Sequence, residues 1–374
     1  MELTENRDSL INNCSLWKGD IMRKLASIQT VSVTEAIPKA DAIERLHILG
    51  WWVVAKKGEY QPGDKVVYCE IDSLLPEQEE FEFLRSSCYK PAIVDAENQV
   101  LQRAGFRIRT VKLRGQVSQG ICFPLSILPV GTSQEVGTDV TAQLGIFKYE
   151  PPVPVGMGGR IKGTFPDFLS KTDEIRVQTI EDVLGRYART NFTMTEKLDG
   201  TSFTAFLRQG EFGLCSRNQW VDETDLSNTL CRLAAELKLA EKLETLRTSF
   251  EISPAIQGEV IGPGIQGNKY ALRSPELYVF NVLDTDQYQL VDRSLQAKML
   301  ESVGLTSVPS LGDITLEHSV DELVALSVGK SILNPKVQRE GIVFRPEVEV
   351  NDPDIGGRLS FKAINPKFLL KFDE

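Results

Sequence analysis

A proline- and glycine-rich segment at residues 148–163, KYEPPVPVGMGGRIKG, divides the chain into two parts with different hydrophobic patterns. Proline and glycine interrupt helices and strands, so such a segment typically connects two folded units. A chain of 374 residues is also longer than most single domains. We therefore predict an N-terminal extension at 1–22, a first domain at 23–147, a linker at 148–164 and a second domain at 165–374.

The first part has the pattern of β-structure. Short runs of β-branched and aromatic residues, such as HILGWWVVAKK at 47–57 and FRIRTVKL at 106–113, are separated by turn-forming Pro, Gly and Asp. About a hundred residues of short strands favour a small barrel of the OB type. A β-sandwich or an SH3-like barrel would fit the same pattern.

A cluster of basic residues stands out against the net charge of −10. Residues 103–114, RAGFRIRTVKLR, carry five basic side chains and no acid, and a local cluster of this kind can bind nucleic acid whatever the overall charge. We predict that this run is a strand in which Arg107 and Arg109 share one face, and Lys112 and Arg114 share the other unless a bulge intervenes. We expect about half of the cluster to contact nucleic acid. The alternative is a charged edge that protects the barrel from aggregation.

The second part mixes helices and strands without a regular βαβ repeat. This pattern favours an α+β fold with antiparallel sheets over a doubly wound fold. Apolar spacing predicts a long helix within DETDLSNTLCRLAAELKLAEKLETL at 222–246, with Asp222 as its N-cap. Shorter helices are predicted within 179–188, 291–304 and 319–329.

Composition excludes several functional classes. No apolar run is long enough to span a membrane, and the first residues do not resemble a signal peptide. The six cysteines form no CxxC pair, which argues against a zinc site and favours a reducing cytoplasmic setting over a disulfide framework. Neither His47 nor His318 is beside a plausible nucleophile, so histidine-based catalysis is not expected.

A series of six short motifs in the second part indicates nucleotidyl transfer. The motifs occur in the order EKLDG at 196–200, SRN at 216–218, GEV at 258–260, YVFNV at 278–282, EGIVFR at 340–345 and SFK at 360–362. In identity, order and approximate spacing the series resembles the covalent nucleotidyltransferases, which comprise the ATP-dependent polynucleotide ligases and the RNA capping enzymes. The resemblance covers roughly residues 165–374.

Two longer segments are similar to the Rnl2-like RNA ligases within that superfamily. They are FPDFLSKTDEIRVQTI at 165–180 and GEVIGPGIQGNKY at 258–270. The second contains a GxGxxG pattern, but no βαβ unit surrounds it, so a dinucleotide-binding fingerprint is not expected. DNA ligases and capping enzymes carry an OB domain after the last lysine motif. Here the predicted barrel comes first and the sequence ends soon after Lys362, an order that resembles the RNA ligase branch with an N-terminal OB domain.

The resemblance implies a three-step reaction in which Lys197 is first joined to AMP. The Lys197 amine attacks the α-phosphate of ATP, AMP passes to a 5′-phosphate, and a 3′-OH displaces AMP. A lysine with an ordinary pKa of about 10.4 is almost entirely protonated at neutral pH. We therefore expect desolvation and nearby positive charge, from Lys362, Arg217 and a divalent metal, to lower the pKa of Lys197.

Three carboxylates, Asp199, Glu259 and Glu340, are expected in the same pocket. They would repel one another and the triphosphate unless a hard cation were present. In the family such acids hold the waters of a Mg²⁺ or Mn²⁺ ion that stabilises the α-phosphate during transfer. The alternative for Glu259 and for Glu340, each taken singly, is a solvated residue at the end of a strand.

Positive side chains are expected around the phosphates. The resemblance implies that Arg217 and Lys362 neutralise phosphate oxygens, with Lys362 also acting in catalysis, whereas exposed strand residues are the alternative. Many relatives end with a KxK pair, but position 364 is isoleucine here. Lys367 is therefore the candidate for the second lysine.

The remaining nucleotide contact is aromatic. Phe280 is expected to stack on adenine, as the matching residue of the family does, and a role in the core is the alternative. Its neighbour Asn281 differs from the aspartate that is usual there. Glu196 precedes Lys197 on the same predicted strand, so its side chain should point to the opposite face of the sheet.

The resulting prediction is an ATP-dependent RNA ligase that joins 3′-OH and 5′-phosphate RNA ends, with a nicked duplex as the expected substrate. We expect a monomeric, cytoplasmic enzyme without a membrane partner. A DNA ligase or an RNA guanylyltransferase is the enzymatic alternative. A non-catalytic RNA-binding protein on a decayed ligase fold is the alternative from another class.

Overall fold

A computed structural model describes residues 23–94, 100–150 and 159–372. The chain forms two compact units. Of the described residues, we call those within Met22–Pro152, Val177–Glu181 and Pro366–Glu374 the barrel unit, and those within Val153–Arg176 and Asp182–Asn365 the sheet unit.

The predicted domain boundaries remain predictions. The division between the units at residues 152 and 153 falls inside the predicted linker at 148–164. Two short segments of the predicted second domain are grouped with the barrel unit instead. The predicted extension at 1–22 lies outside the described residues. In the parts of the chain that are described, no helix is long and apolar enough to cross a membrane.

The barrel unit consists of small antiparallel sheets, as the short β-branched and aromatic runs predicted. Its strands are β1 Ala26–Thr30, β2 Val33–Ala36, β3 Ile43–Ile48, β4 Trp51–Lys56, β5 Lys65–Cys69, β6 Ser73–Leu75, β7 Tyr89–Lys90, β8 Ile93–Val94, β9 Val100–Gln102, β10 Gly105–Arg107, β11 Thr110–Leu113, β12 Gln116–Gln119, β13 Ile121–Pro124 and β14 Phe147–Lys148. The sheet orders are β1-β5-β13, β14-β6-β10-β7 and β2-β3-β4, with hairpins β11-β12 and β8-β9.

Two apolar clusters fill the barrel unit. One contains Ile28 and Phe106, and the other contains Trp51 and Tyr68; all four side chains are almost completely buried. Side chains alternate along a strand, so neighbouring residues of β5 enter different clusters. Burying a large apolar side chain contributes about 1.5–3 kcal/mol, so these clusters are the main source of stability in the unit.

The basic run at 103–114 is not one strand. Strand β10 ends at Arg107, β11 begins at Thr110, and the two strands belong to different sheets. The chain changes sheets at Ile108, which is buried and donates its N–H to the carbonyl of Ser73. Arg114 has a φ of 49° in the turn after β11. The prediction of one continuous strand with two basic faces was therefore wrong. Strand β10 pairs with β6 and β7, strand β11 pairs with β12, and Ile108 between them is buried in the apolar cluster of Ile28 and Phe106.

The sheet unit is built on two large sheets. Its strands are β15 Ile161–Thr164, β16 Ile175–Arg176, β17 Asn191–Lys197, β18 Thr201–Arg208, β19 Glu211–Cys215, β20 Gln219–Val221, β21 Pro254–Ile261, β22 Glu276–Asp284, β23 Gln289–Leu290, β24 Ser310–Thr315, β25 Gly341–Pro346, β26 Asn351–Asp352, β27 Gly357–Arg358 and β28 Phe361–Ile364.

The first sheet has the order β15-β20-β19-β18-β21-β22-β23 and the second the order β16-β28-β25-β17-β24. Among the described strands of these sheets, every named pairing is antiparallel except that of β16 with β28. This arrangement confirms the predicted α+β class. The three-residue turn at 198–200 links the end of β17 in one sheet to the start of β18 in the other. It therefore places the EKLDG motif where the two sheets are joined.

The helices are α1 Arg85–Cys88, α2 Glu181–Leu184, α3 Thr229–Glu236, α4 Leu239–Phe250, α5 Arg293–Ser302, α6 Val320–Ser327 and α7 Pro366–Phe372. Helices α3, α4 and α5 pack on the first sheet in one cluster, to which Leu230, Leu243, Met299 and Phe203 contribute. The helices predicted within 291–304 and 319–329 are confirmed, and a short helix occurs within 179–188.

The predicted long helix at 222–246 is two helices. Lys238, with a φ of 52°, separates α3 from α4. The N-cap of α3 is Asn228, whose Oδ1 accepts from the N–H of Leu230 at 2.7 Å. Asp222 as N-cap was wrong, because its carboxylate instead accepts from the N–H and hydroxyl of Thr224 in a polar turn.

Candidate active site

Strand pairing brings Lys197 and Glu340 together. Lys197 is the last residue of β17 and lies opposite Gly341, the first residue of β25. Glu340 precedes that glycine, and both of its carboxylate oxygens accept from Lys197 Nζ, at 2.6 and 2.7 Å. Only 25% of the Lys197 side chain and 11% of the Glu340 side chain are exposed. This is the bidentate contact of a partly buried ion pair.

Glu259 is held beside the turn that follows Lys197. It lies on β21, opposite Ser202 of β18, and its Oε1 accepts from the N–H of Gly200 at 3.0 Å. A Cβ at position 200 would lie 2.3 Å from the carbonyl oxygen of Val260 and 3.0 Å from Cγ of Glu259. The glycine of the EKLDG motif is therefore required by close packing of two backbones.

Asp199 is fixed by two consecutive residues of the 262–275 loop. Its carboxylate forms an ion pair with Lys269, and its N–H donates to the hydroxyl oxygen of Tyr270 at 2.7 Å. Tyr270 is buried and packs with Leu198. The loop that resembled the Rnl2-like ligases thus contributes directly to the pocket.

The pKa of Lys197 differs from the expectation. Burial by itself lowers the pKa of this amine, but the negative charges of Glu340, Glu259 and Asp199, with the hydrogen bonds to Glu340, outweigh burial and raise it. The prediction of a lowered pKa was wrong for this arrangement, because the groups that surround the amine are acids. Lys197 is therefore held as an ammonium ion.

The acidic groups fit a hydrated cation. Among the described residues, no three His, Cys, Asp or Glu side chains converge closely enough to hold a metal ion directly. Burial raises the pKa of Glu259 to about 8; Lys197 opposes that rise, while Glu340 and Asp199 add to it. Burial therefore disfavours the charged form of Glu259, and a divalent cation held through its waters would stabilise that form.

Lys362 lies on the same sheet face as Lys197. In the second sheet, Lys362 of β28 is opposite Val343 of β25, which is opposite Thr195 of β17. Side chains alternate along a strand, so Thr195 and Lys197 point to one face, and Lys362 shares it. Glu196 lies on the opposite face, as predicted, where it is buried and accepts from the N–H of Ile332 at 2.7 Å.

Phe280 is half-buried in the middle of β22, next to a buried polar network. Arg345 donates to the Phe280 carbonyl at 2.7 Å and to Asn281 Oδ1 at 2.9 Å, and its Cζ lies 5.6 Å from the centre of the Phe280 ring. Glu174 accepts from Arg345 at 2.7 Å and from Arg358 at 3.2 Å. The Glu174 carboxylate thus supplies negative charge beside a neutral Asn281.

The SRN motif forms the turn between β19 and β20. Arg217 is exposed there and forms an ion pair with Asp173 at 2.7 Å. Lys171 donates to the Arg217 carbonyl at 3.3 Å and to Asn218 Oδ1 at 3.2 Å. The segment that precedes the Lys197 motif therefore holds this turn in place.

Lys367 does not belong to the same unit as Lys197. It lies on α7, is exposed, and is part of the barrel unit. The isoleucine at position 364 is buried at the end of β28. A nucleotide contact by Lys367 remains a prediction.

The four predicted nucleic-acid residues have different surroundings. Arg107 is 9% exposed, donates to Asp72 at 3.2 Å and stacks on Tyr149 with its Cζ 4.2 Å from the ring centre. Arg109 is half-buried, whereas Lys112 and Arg114 are exposed on the β11-β12 hairpin. We do not retain Arg107 as a nucleic-acid contact, because its charge is already paired inside the barrel unit.

Four residues of the pocket and its support were not assigned from the sequence, although each lies in a segment that resembles the ligases. Glu174 is in FPDFLSKTDE, Lys269 and Tyr270 are in GPGIQGNKY, and Arg345 ends EGIVFR. The similarity of these segments to RNA ligases was the available signal. It identified the segments but not which side chains enter the pocket.

Comparisons with known proteins identify the family. A family model described as RNA ligase matches residues 190–364, and one described as an OB-fold domain matches residues 25–125. No curated protein matched the chain.

Solved structures of Naegleria gruberi RNA ligase are similar over most of both chains. Its complex with PPi is 37% identical and covers 93% of this chain and 98% of that chain, with a TM-score of 0.82. A glutamate-to-alanine mutant with AMP and Mn has the same identity, coverage and TM-score. Another such mutant, with ATP and Mn, is 36% identical and covers 94% of this chain and 100% of that chain, with a TM-score of 0.83. The chain therefore belongs to the RNA ligase family and joins an N-terminal OB-fold domain to an RNA ligase domain.

Proposed function

We propose that this RNA ligase uses ATP to join 3′-OH and 5′-phosphate RNA ends in a nicked duplex, through a covalent AMP adduct on Lys197. The observation that carries the proposal is the surroundings of the Lys197 amine, which contacts both oxygens of Glu340 and lies in the field of Glu259 and Asp199. The similar Naegleria structures contain ATP, AMP, PPi and Mn, which supports ATP as the substrate here and Mg²⁺ or Mn²⁺ as the cation.

In the first step the Lys197 amine attacks the α-phosphorus of ATP. A P–N bond forms, the P–O bond to pyrophosphate breaks, and the lysine loses a proton. Because Lys197 is held as an ammonium ion, this step requires a lower pKa than the acids alone permit. A hydrated divalent cation on Asp199, Glu259 and Glu340 would supply positive charge that weakens their effect on the amine and stabilises the phosphate.

Lys362 has the position expected of a phosphate ligand. It lies on the Lys197 face of the second sheet, where its ammonium group can stabilise negative charge that develops on the α-phosphate. Arg217 is exposed on the β19-β20 turn and paired with Asp173, and we propose that it exchanges this partner for a phosphate. Both side chains act as electrostatic ligands, not as proton donors.

The second and third steps reuse the same groups. A 5′-phosphate oxygen of the RNA attacks the phosphorus of the adduct, the P–N bond breaks, and the leaving amine takes up a proton. The 3′-hydroxyl oxygen then attacks the 5′-phosphorus, loses its proton, and releases AMP. A lysine suits this sequence because its phosphoramidate breaks readily once the nitrogen is protonated.

Phe280 and the network behind it form the proposed adenine site. The ring is half-buried on β22, and offset stacking on a base is favourable by about 1–3 kcal/mol. Arg345 fixes the Phe280 backbone and is itself fixed by Glu174. This support holds the Phe280 backbone in place before the nucleotide binds, which lowers the cost of ordering the site on binding.

The barrel unit is the proposed RNA-contacting part of the enzyme. Arg109, Lys112 and Arg114 place basic groups on and next to the β11-β12 hairpin. Contacts of this kind track phosphates without reading sequence, and their strength falls as salt increases. We propose that they contribute to sealing but not to the reaction of ATP with Lys197.

Incubation with α-³²P-ATP and Mn²⁺ tests the function. We expect an acid-labile, labelled protein with wild-type enzyme, no label with Lys197→Ala, and label with Lys298→Ala, an exposed lysine on α5. No adduct on the wild-type protein, or an adduct that survives Lys197→Ala, would refute the proposal.

Substrate choice separates the alternatives. Nicked duplexes with RNA or DNA on the 3′-OH side distinguish an RNA ligase from a DNA ligase, and labelling by GTP instead of ATP would indicate a guanylyltransferase. Binding of RNA without any adduct would indicate a decayed ligase. The monomeric state and cytoplasmic location expected from the sequence remain part of the proposal, and size-exclusion chromatography with light scattering tests the first.

A further inference from the structure

Lys269 is a second lysine in the pocket, and the proposed reaction gives it no role. Only 12% of its side chain is exposed, and its ammonium group is paired with the Asp199 carboxylate, whose side chain is 9% exposed. Burying two charges has a desolvation cost that a surface pair does not have. An ion pair at this depth, on a carboxylate proposed to act with the cation, calls for an explanation.

The loop that carries Lys269 is fixed on both sides of it. The Asn268 side chain donates to the Leu272 carbonyl at 2.9 Å and accepts from the Leu272 N–H at 3.0 Å. The Lys269 carbonyl accepts from Asn334 Nδ2 at 3.1 Å. Tyr270, the next residue, holds the Asp199 backbone. The loop therefore presents the Lys269 amine to Asp199 from a rigid backbone.

Each of the three carboxylates in the pocket already has a hydrogen-bond partner. Lys197 is paired with Glu340, Lys269 is paired with Asp199, and Glu259 accepts from a backbone N–H. Two of the three carboxylates proposed to act with the cation are thus already occupied by ammonium groups. Lys269 contacts Oδ2 of Asp199, so a hydrated divalent cation can use both oxygens of this carboxylate only if Lys269 withdraws.

We propose that Lys269 is a displaceable counter-ion, which holds Asp199 in place until a hydrated divalent cation takes over its carboxylate. This inference rests on the proposed function, since it requires that the cation acts at Asp199. Lys269 is then a positioning residue: it acts on the cation through Asp199 and competes with it. A purely structural ion pair predicts the opposite, because losing it would disorder Asp199 and weaken cation binding.

Binding of Mn²⁺ alone, without nucleotide, distinguishes the two roles. Free Mn²⁺ is measured by electron paramagnetic resonance for the wild type, Lys269→Met, Lys269→Arg and the control Lys298→Met. We expect Lys269→Met to bind Mn²⁺ roughly tenfold more tightly than the wild type, because a like charge beside the cation is removed. Lys269→Arg should stay close to the wild type, and Lys298→Met should not differ. Equal or weaker binding by a folded Lys269→Met protein would overturn the proposal.

A measurement on the wild-type protein covers the case in which Lys269→Met does not fold. Lysine acylation, followed by mass spectrometry, reports how accessible each amine is. The Lys269 amine should become several-fold more reactive when Mn²⁺ is added, as it leaves Asp199, whereas Lys298 should not change. Unchanged reactivity of Lys269 at saturating Mn²⁺ would contradict displacement.

The adduct assay tests the proposed function, and the Mn²⁺ measurements test the role of Lys269, so either can fail without the other. Failure of the ATP adduct to form on Lys197 would refute the function even if Lys269 competes with Mn²⁺. An adduct on Lys197, combined with unchanged Mn²⁺ affinity in Lys269→Met, would leave the function intact and reject the counter-ion role.

Discussion

Lys197 and Glu340 are 143 residues apart in sequence, yet Nζ of the lysine donates to both carboxylate oxygens of the glutamate. The antiparallel register of β17 with β25 brings them together, since Lys197 pairs with the residue that follows Glu340. This contact keeps the amine charged and so opposes its use as a nucleophile. The proposed cation would interact with Glu340, Glu259 and Asp199 and so weaken their effect on the amine, which could then lose its proton more readily.

The first prediction concerns the ionisation of Lys197. Glu340 raises the pKa of this lysine in the folded protein, so Glu340→Gln should lower it, and the amine should become reactive at a lower pH. Competitive acylation of the metal-free protein across a pH series, read out by mass spectrometry at Lys197, measures the midpoint. A Glu340→Gln midpoint equal to or above that of the wild type would show that Glu340 does not control the amine.

The second prediction concerns Gly200. A Cβ there would lie 2.3 Å from the Val260 carbonyl oxygen, so Gly200→Ala must push β18 and β21 apart beside Glu259. We expect a loss of about 1–3 kcal/mol in the free energy of unfolding and a large loss of adduct formation. Gly185→Ala is the matched control, since a Cβ at position 185 meets nothing within 4 Å.

Urea denaturation measures the stability of both glycine variants, and ATP labelling measures their activity. A Gly200→Ala protein as stable and active as Gly185→Ala would mean that β18 and β21 can move apart without loss of stability or activity. In that case the close approach would not be the reason for glycine at this position.

Some features of this site and its fold could be predicted from local sequence, and there are physical reasons why others could not. The β-strand that carries Glu196 and Lys197 was predictable because the alternation of side chains acts over a few residues. The split of the helix at Lys238 was not, because the periodicity of its apolar residues continues across the break. Asn228 became the N-cap in place of Asp222 because the intervening polar residues form their own turn.

Contacts between residues that are far apart in the sequence could not be predicted from it. The motifs identified Lys197 and Glu340 as members of one pocket, but not that the acids would raise the pKa of the lysine. Lys269 was not predicted for a similar reason. A lysine in a glycine-rich loop is usually exposed to solvent, and only the fold places this one against Asp199. Arg107 shows the converse, a basic residue in a basic run that the fold buries against Asp72.

The third prediction concerns the stability of the sheet unit at low pH. Glu174 is buried, which by itself raises its pKa, but Arg358 and Arg345 outweigh burial and lower it from 4.5 to about 2. A carboxyl group with a lowered pKa stabilises the fold above its unfolded pKa and loses that contribution as pH falls towards the folded value. The wild type should therefore lose stability between about pH 4.5 and 2, partly through this group.

Glu174→Gln should be less stable than the wild type at pH 6, and it should lose less on acidification. Replacing one partner of a buried ion pair costs about 3–5 kcal/mol, because the two arginines would remain charged beside a neutral group. Urea denaturation at pH 6 and pH 3.5 measures both effects, with exposed Asp286→Asn as the control. Parallel pH dependence in Glu174→Gln and the wild type would mean that another carboxyl group controls acid stability.

The fourth prediction concerns the barrel unit and separates RNA binding from chemistry. Lys112 and Arg114 are exposed on the β11-β12 hairpin, so Lys112→Glu with Arg114→Glu should weaken binding to a nicked RNA duplex and slow sealing. The slope of log affinity against log salt should become shallower by about two, because two side chains no longer bind RNA phosphates. Formation of the ATP adduct should be unchanged, since it needs no RNA.

The charge-matched control is Lys39→Glu with Lys57→Glu, two exposed lysines elsewhere on the barrel unit. It makes the same change in net charge, so any weakening that it shares with the hairpin variant reflects overall repulsion of RNA and not local binding. Filter binding across a salt series gives the slope, and gel analysis of nick sealing gives the rate. Equal effects of the two double variants would place the RNA surface elsewhere, because a local interaction must depend on where the charges lie.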